Sequence, residues 1–172
     1  MNSKEIKNKI SKDIKNRMKE LTVILPEDRT GDDYEELLDL FWLVDDCQQS
    51  EYLPYLFDYL IVDEQYEVEG ISETLTNMVE DCPVEALLPC TLNNLYRYDI
   101  NPEAFQGIFL KFVYNPKDIE FIKKYLKENI NNFDKETLLK LLEDVKTTWN
   151  LKDPQLNVIR DLRKILTSGD NK

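Results

Sequence analysis

The sequence has no histidine. Imidazole is the side chain that most often acts as a general base, activates a nucleophile or ligates zinc, so its absence removes most such arrangements in one step. Glycine is scarce as well, with four in 172 residues, and none of the four belongs to a phosphate-cradling loop. The three cysteines, Cys47, Cys82 and Cys90, are odd in number and form no Cys-x-x-Cys pair. They read as reduced thiols of a cytoplasmic protein, not as a disulfide frame. No run of 18 apolar residues is present, so no membrane-spanning helix and no membrane partner are expected. The Lys-rich stretch 1–19 lacks the apolar centre and small-residue cleavage site of a secretory signal. The most telling gap is one of charge: between Thr30 and Tyr96 there is neither lysine nor arginine.

Those 67 residues hold seventeen carboxylates, from Asp32 to Glu85, and carry a formal charge of -17. The remainder holds 22 basic and 17 acidic groups and sums to +5, so the net charge of -12 is the dilution of one acidic block by a mildly basic rest. Self-repulsion in such a block costs stability, and solubility alone needs a net charge of only about 2–8. A positively charged partner, steered in by the field and held by complementary charge, supplies the missing reason. The same acidity argues against direct binding of DNA or RNA.

Apolar content is 42%, inside the globular range. Its spacing is helical almost throughout. Ile6, Ile10, Ile14, Met18 and Leu21 recur every three or four residues and predict a basic helix over 3–25, broken by Pro26 and Gly31. Asp32, with Glu35 three residues on, suggests the cap of a second helix carrying Leu37, Leu38, Phe41, Trp42 and Val44. Ser50 suits the cap of a third, with Leu53, Leu56, Phe57 and Leu60 inward, and 65–80 reads as a fourth. Pro83, Pro102, Pro116 and Pro154 each suit the first position of a further helix, three of them after Asn101, Asn115 or Asp153 as caps, and the helices they open carry Leu87, Leu88, Leu92 and Leu95; Phe105, Ile108, Phe109 and Phe112; Ile119, Ile122 and Leu126; and Ile159, Leu162 and Leu166. Asp134 caps one more, with Leu138, Leu139, Leu142 and Val145 inward. Only Leu21–Leu25 and Phe109–Tyr114 tempt a strand assignment.

Helix starts near 32, 50, 65, 83, 102, 116, 134 and 154 give two helices every 32–38 residues or so, the spacing of helical-hairpin repeats. The expected fold is all-α: about nine helices stacked as antiparallel hairpins, a short HEAT-like α-solenoid or an irregular helical bundle. The length suits a single domain over 1–172, with a basic helix at 1–25, acidic helices at 30–96 and C-terminal helices at 97–172.

Carboxylates are the remaining candidate chemistry. Glu35, Glu36 and Asp39 fall together on one helix, and Glu64 and Glu67 form a second i, i+3 pair. Two such helices could hold Mg²⁺ against a diphosphate, an arrangement that resembles the all-α nucleotide pyrophosphohydrolases. A phosphate site also needs a basic side chain, however, and the block has none, so the expectation is no catalytic residue, no metal and no cofactor. The tyrosines point to binding. Tyr52, Tyr55 and Tyr59 follow i, i+3, i+7 on the helix after Ser50, beside Glu51 and Asp58. Tyrosine suits both a helix-packing position and an interface hot spot, and both readings stand. Asp45, Asp46, Glu51, Tyr52, Tyr55, Asp58 and Tyr59 are the candidate contacts.

Leu37-Leu38-Asp39-Leu40-Phe41-Trp42-Leu43-Val44-Asp45-Asp46, followed by Glu51-Tyr52-Leu53-Pro54-Tyr55-Leu56-Phe57, resembles the opening helices of the immunity-protein-30 family, where a Leu-rich helix ends in an Asp pair and a Tyr-Leu-Pro helix follows. Small, acidic, all-helical proteins of this kind are frequent among bacterial immunity proteins of polymorphic toxins. The resemblance covers about a third of the chain. It implies a cytoplasmic, non-catalytic inhibitor that covers a toxin domain, often a nuclease, whose basic phosphate-gripping surface complements an acidic one. The alternatives from other classes are a helical adaptor or scaffold for a basic protein or peptide and, ranked third, an all-α carboxylate-metal nucleotide pyrophosphohydrolase.

Overall fold

A computed structural model of the chain describes residues 3–23, 28, 30–42, 52–54, 57 and 82–168. Every regular element among them is helical, and the chain packs as two compact units, Met1–Asn77 and Met78–Lys172. The division falls inside the acidic block.

In the first unit, α1 spans Ser3–Val23 and packs against α2, Gly31–Trp42. The spacing of Ile14, Met18 and Leu21 puts these side chains on one face of α1, and all three are buried. The start of α2 differs in detail from expectation. Thr30, not Asp32, closes the end: its N–H and hydroxyl donate to Asp33 Oδ2 at 2.8 and 2.7 Å, and Asp33 N–H returns a long bond of 3.4 Å to the Thr30 hydroxyl. This is a capping box with Asp as the acidic partner, and it begins two residues earlier because threonine serves as a cap as well as aspartate. Tyr52–Pro54 and Phe57 are helical, in agreement with the third expected helix, and Tyr52, Leu53 and Phe57 are buried. The helix expected over 65–80 lies outside the described residues.

The second unit contains α3 (Val84–Asn93), a 3-10 turn at Leu95–Arg97, α4 (Pro102–Tyr114), α5 (Ile119–Glu128), α6 (Lys135–Thr148) and α7 (Asp153–Thr167). Besides the helical residues 52–54 and 57, that makes eight helical elements among the described residues, against about nine helices expected for the whole chain. Helix α4 packs on α5, α6 and α7; α7 also packs on α5 and α6, and α3 lies on α5. The core they share takes Leu87, Leu88, Leu92 and Leu95, then Phe105, Ile108, Phe109 and Phe112, then Ile122, Leu126, Ile159, Leu162 and Leu166, all as the periodicity predicts. Two positions differ. Ile119 is only half-buried, and in α6 Leu141 joins Leu138, Leu142 and Val145 inside while Leu139 is half-buried. Phe109–Tyr114, one of the β-tempting runs, is the C-terminal half of α4, and Leu21–Val23 of the other closes α1.

The prolines act as expected at one site of four. Pro102 is the first residue of α4, and Asn101 Oδ1 accepts from Ala104 N–H at 3.1 Å. Pro83 sits one residue outside α3, as its N-cap, and Pro154 is the second residue of α7, behind Lys152 as N-cap. Pro116 opens no helix. Asn115 accepts from Lys117 N–H at 3.3 Å and donates to Asp118 Oδ2 at 2.6 Å, which holds 115–118 as a turn and delays α5 to Ile119. Asp134 caps α6 as expected, accepting from Glu136 and Thr137 N–H at 3.0 and 3.1 Å. Pro89 lies within α3 and leaves the Glu85 carbonyl without its helical donor, at an exposed residue where water can replace it.

Candidate functional site

The division into units separates charge. Residues 1–77 hold 8 basic and 19 acidic groups, a net -11, whereas residues 78–172 hold 14 and 15, a net -1. The acidic character of the chain is therefore a property of the first unit. Six of the seventeen block carboxylates lie among the described residues, five of them on α2 and the sixth at Glu85.

On α2 the carboxylates divide into two sets. Asp33 is taken up by the Thr30 cap. Glu36 accepts both arms of the Arg17 fork, Nε to Oε1 at 2.7 Å and Nη2 to Oε2 at 2.8 Å. That bidentate pair holds the Glu36 carboxyl below its ordinary range and raises Arg17 above its own. The basic first helix thus docks on the start of the acidic block and neutralises part of it. Asp32, Glu35 and Asp39 are exposed. Their spacing of three and four residues places them along one side of the helix.

The carboxylates weighed for a metal do not converge here. Glu36 holds a guanidinium instead, and among the described residues no three His, Cys, Asp or Glu side chains are placed to hold an ion. Glu64 and Glu67 lie outside the described residues. So do Asp45, Asp46, Glu51, Tyr55, Asp58 and Tyr59 of the predicted contact set. Tyr52 is described: with 1% of its surface exposed it packs inside, the first of the two roles the sequence left open for the tyrosines.

The second unit holds a polar cluster that the sequence reading missed. The Tyr98 hydroxyl donates to Asp144 Oδ2 at 2.6 Å and accepts from Gln106 Nε2 at 3.4 Å. Gln106 Oε1 in turn accepts from the Trp149 indole N–H at 3.2 Å. The cluster ties the turn before α4, α4 itself and the C-terminal part of α6 to one another. Tyr98 is buried, edge-on to Phe105 with centroids 6.0 Å apart, and Lys140 Nζ lies 5.4 Å from its ring centroid. Burial, reinforced by the Asp144 carboxylate, pushes the phenol up to about 12. A signal for this cluster existed: Gln106 interrupts an otherwise apolar run from Ala104 to Leu110, and a buried amide needs partners. Tyr96, Ile100, Tyr114 and Trp149 remain exposed around the unit.

Ion pairs also join its helices. Lys123 of α5 meets Asp161 of α7 at 2.9 Å, Arg163 of α7 meets Glu143 of α6, and Lys140 meets Asp99 at 2.6 Å. The open groove on α5, lined by Glu120, Lys123, Lys124, Lys127 and Glu128, is one face of a single helix. Two of its three lysines have counter-charges: Lys123 in Asp161 and Glu120, and Lys124 in Glu128 at 3.9 Å. The Lys123–Asp161 and Arg163–Glu143 pairs join neighbouring helices, and the Lys123–Glu120 and Lys124–Glu128 pairs lie within α5.

The class these features define is an all-α protein of packed helices with its negative charge gathered in one unit. Among the described residues no helix is long and apolar enough to cross a membrane. Comparison with protein-family models, with curated proteins and with solved structures yields no match to this chain.

Proposed function

We propose that this chain is a non-catalytic immunity protein of the cytoplasm, loosely of the immunity-protein-30 kind, which binds a cognate toxin domain with a basic surface, such as a nuclease, and neutralises it. The observation that carries the reading is the charge block: seventeen carboxylates and no lysine or arginine over 30–96. Repulsion within such a block, fourteen of whose carboxylates belong to the first unit, is offset when a cationic surface covers it. On this reading the docking residues include the exposed Asp32, Glu35 and Asp39 of α2 and the contacts expected from sequence, Asp45, Asp46, Glu51, Tyr52, Tyr55, Asp58 and Tyr59.

Co-purification from the native host identifies the partner, and an immunity gene is expected directly beside the gene of its toxin. Both rate constants are then measured at low and high salt. The quadruple change Asp45→Asn, Asp46→Asn, Glu51→Gln and Asp58→Asn is expected to lower the on-rate and flatten its salt dependence, because rim charge governs encounter. Tyr55→Ala is expected to raise the off-rate, by about 2 kcal/mol in affinity for a hot spot. An affinity indifferent to salt, or an unchanged on-rate in the quadruple variant, removes the acidic block as the docking face. A captured basic protein that is no toxin assigns the chain to the adaptors instead.

A further inference from the structure

No further inference is drawn: the strongest candidate, the exposed aromatic patch after α6 where the Trp149 ring is held through Gln106 and Tyr98, is a surface on which nothing in the structure shows what covers it.

Discussion

At the scale of single residues, Tyr98 and Asp134 illustrate how burial and hydrogen bonding divide the work. Tyr98 is buried with its hydroxyl held between a carboxylate and an amide. Tyr98→Phe keeps the ring but strips Asp144 and Gln106 of a partner, and is expected to cost about 1–3 kcal/mol in denaturant unfolding. The phenol supplies a second readout. Its folded pKa is raised from 10 to about 12, so its contribution to stability is whole below pH 10 and is lost as the pH climbs to about 12. Tyrosinate absorbance should therefore contain one late step that is missing from Tyr98→Phe; identical titrations would show that Tyr98 is not held as described. Asp134 works in the opposite sense. Hydrogen bonds from Thr137 and Glu136 at the start of α6 depress its carboxyl below the usual 3.8. Its stabilisation is then present above pH 4 and lost as the pH falls through the depressed value. Asp134→Ala is expected to cost about 1 kcal/mol near neutral pH. The gap between variant and parent should close on acidification, and a gap that stays constant with pH would locate the loss elsewhere.

At the scale of elements, the helix interiors follow apolar spacing and the ends follow local chemistry. Helix α6 tests the first half of that statement. Leu139 and Leu141 are both leucines of a leucine-rich stretch, yet Leu141 is fully buried and Leu139 half-buried. Leu141→Ala is expected to cost about 2–5 kcal/mol, as large-to-small changes in a closed core do. Leu139→Ala should cost clearly less, and equal losses would place α6 in the register that spacing alone suggests. The ends obey competition among polar groups. At 115–118 the Asn115 side chain bonds Lys117 and Asp118 locally and forms a turn, so the proline behind it does not start a helix. At Thr30 two adjacent cap candidates compete, and the earlier one closes a reciprocal pair with Asp33.

At the scale of the whole molecule, charge and core are segregated. Residues 78–172 are almost neutral, and their described part buries twenty-one apolar side chains of its own. A segment of that size with its own core meets the usual condition for folding alone. Expressed as a fragment, 78–172 should give a helical circular dichroism spectrum and a cooperative thermal transition. It should also lack salt-dependent affinity for the basic partner, since the -11 resides in the other unit. A fragment that is unfolded would make the core dependent on residues 1–77. A folded fragment that binds as tightly as the full chain would move the docking face out of residues 1–77.

Much of this was legible in the order of residues. Helix, not strand, follows from apolar residues three and four apart, and the caps at Asn101 and Asp134 follow from short polar side chains just ahead of helical runs. The charge block needs only counting, because formal charge is a property of composition along the chain. What the tertiary structure alone decided are matters of which side chains meet. Tyr52 could serve packing or binding until its burial was known, since an amphipathic ring suits both. Leu141 displaced Leu139 because the neighbours of α6, not its own periodicity, set the angle it turns inward. Arg17 found Glu36 across nineteen residues, and Tyr98 found Asp144 across forty-six. Those pairs depend on helices crossing in space, and no local spacing encodes them.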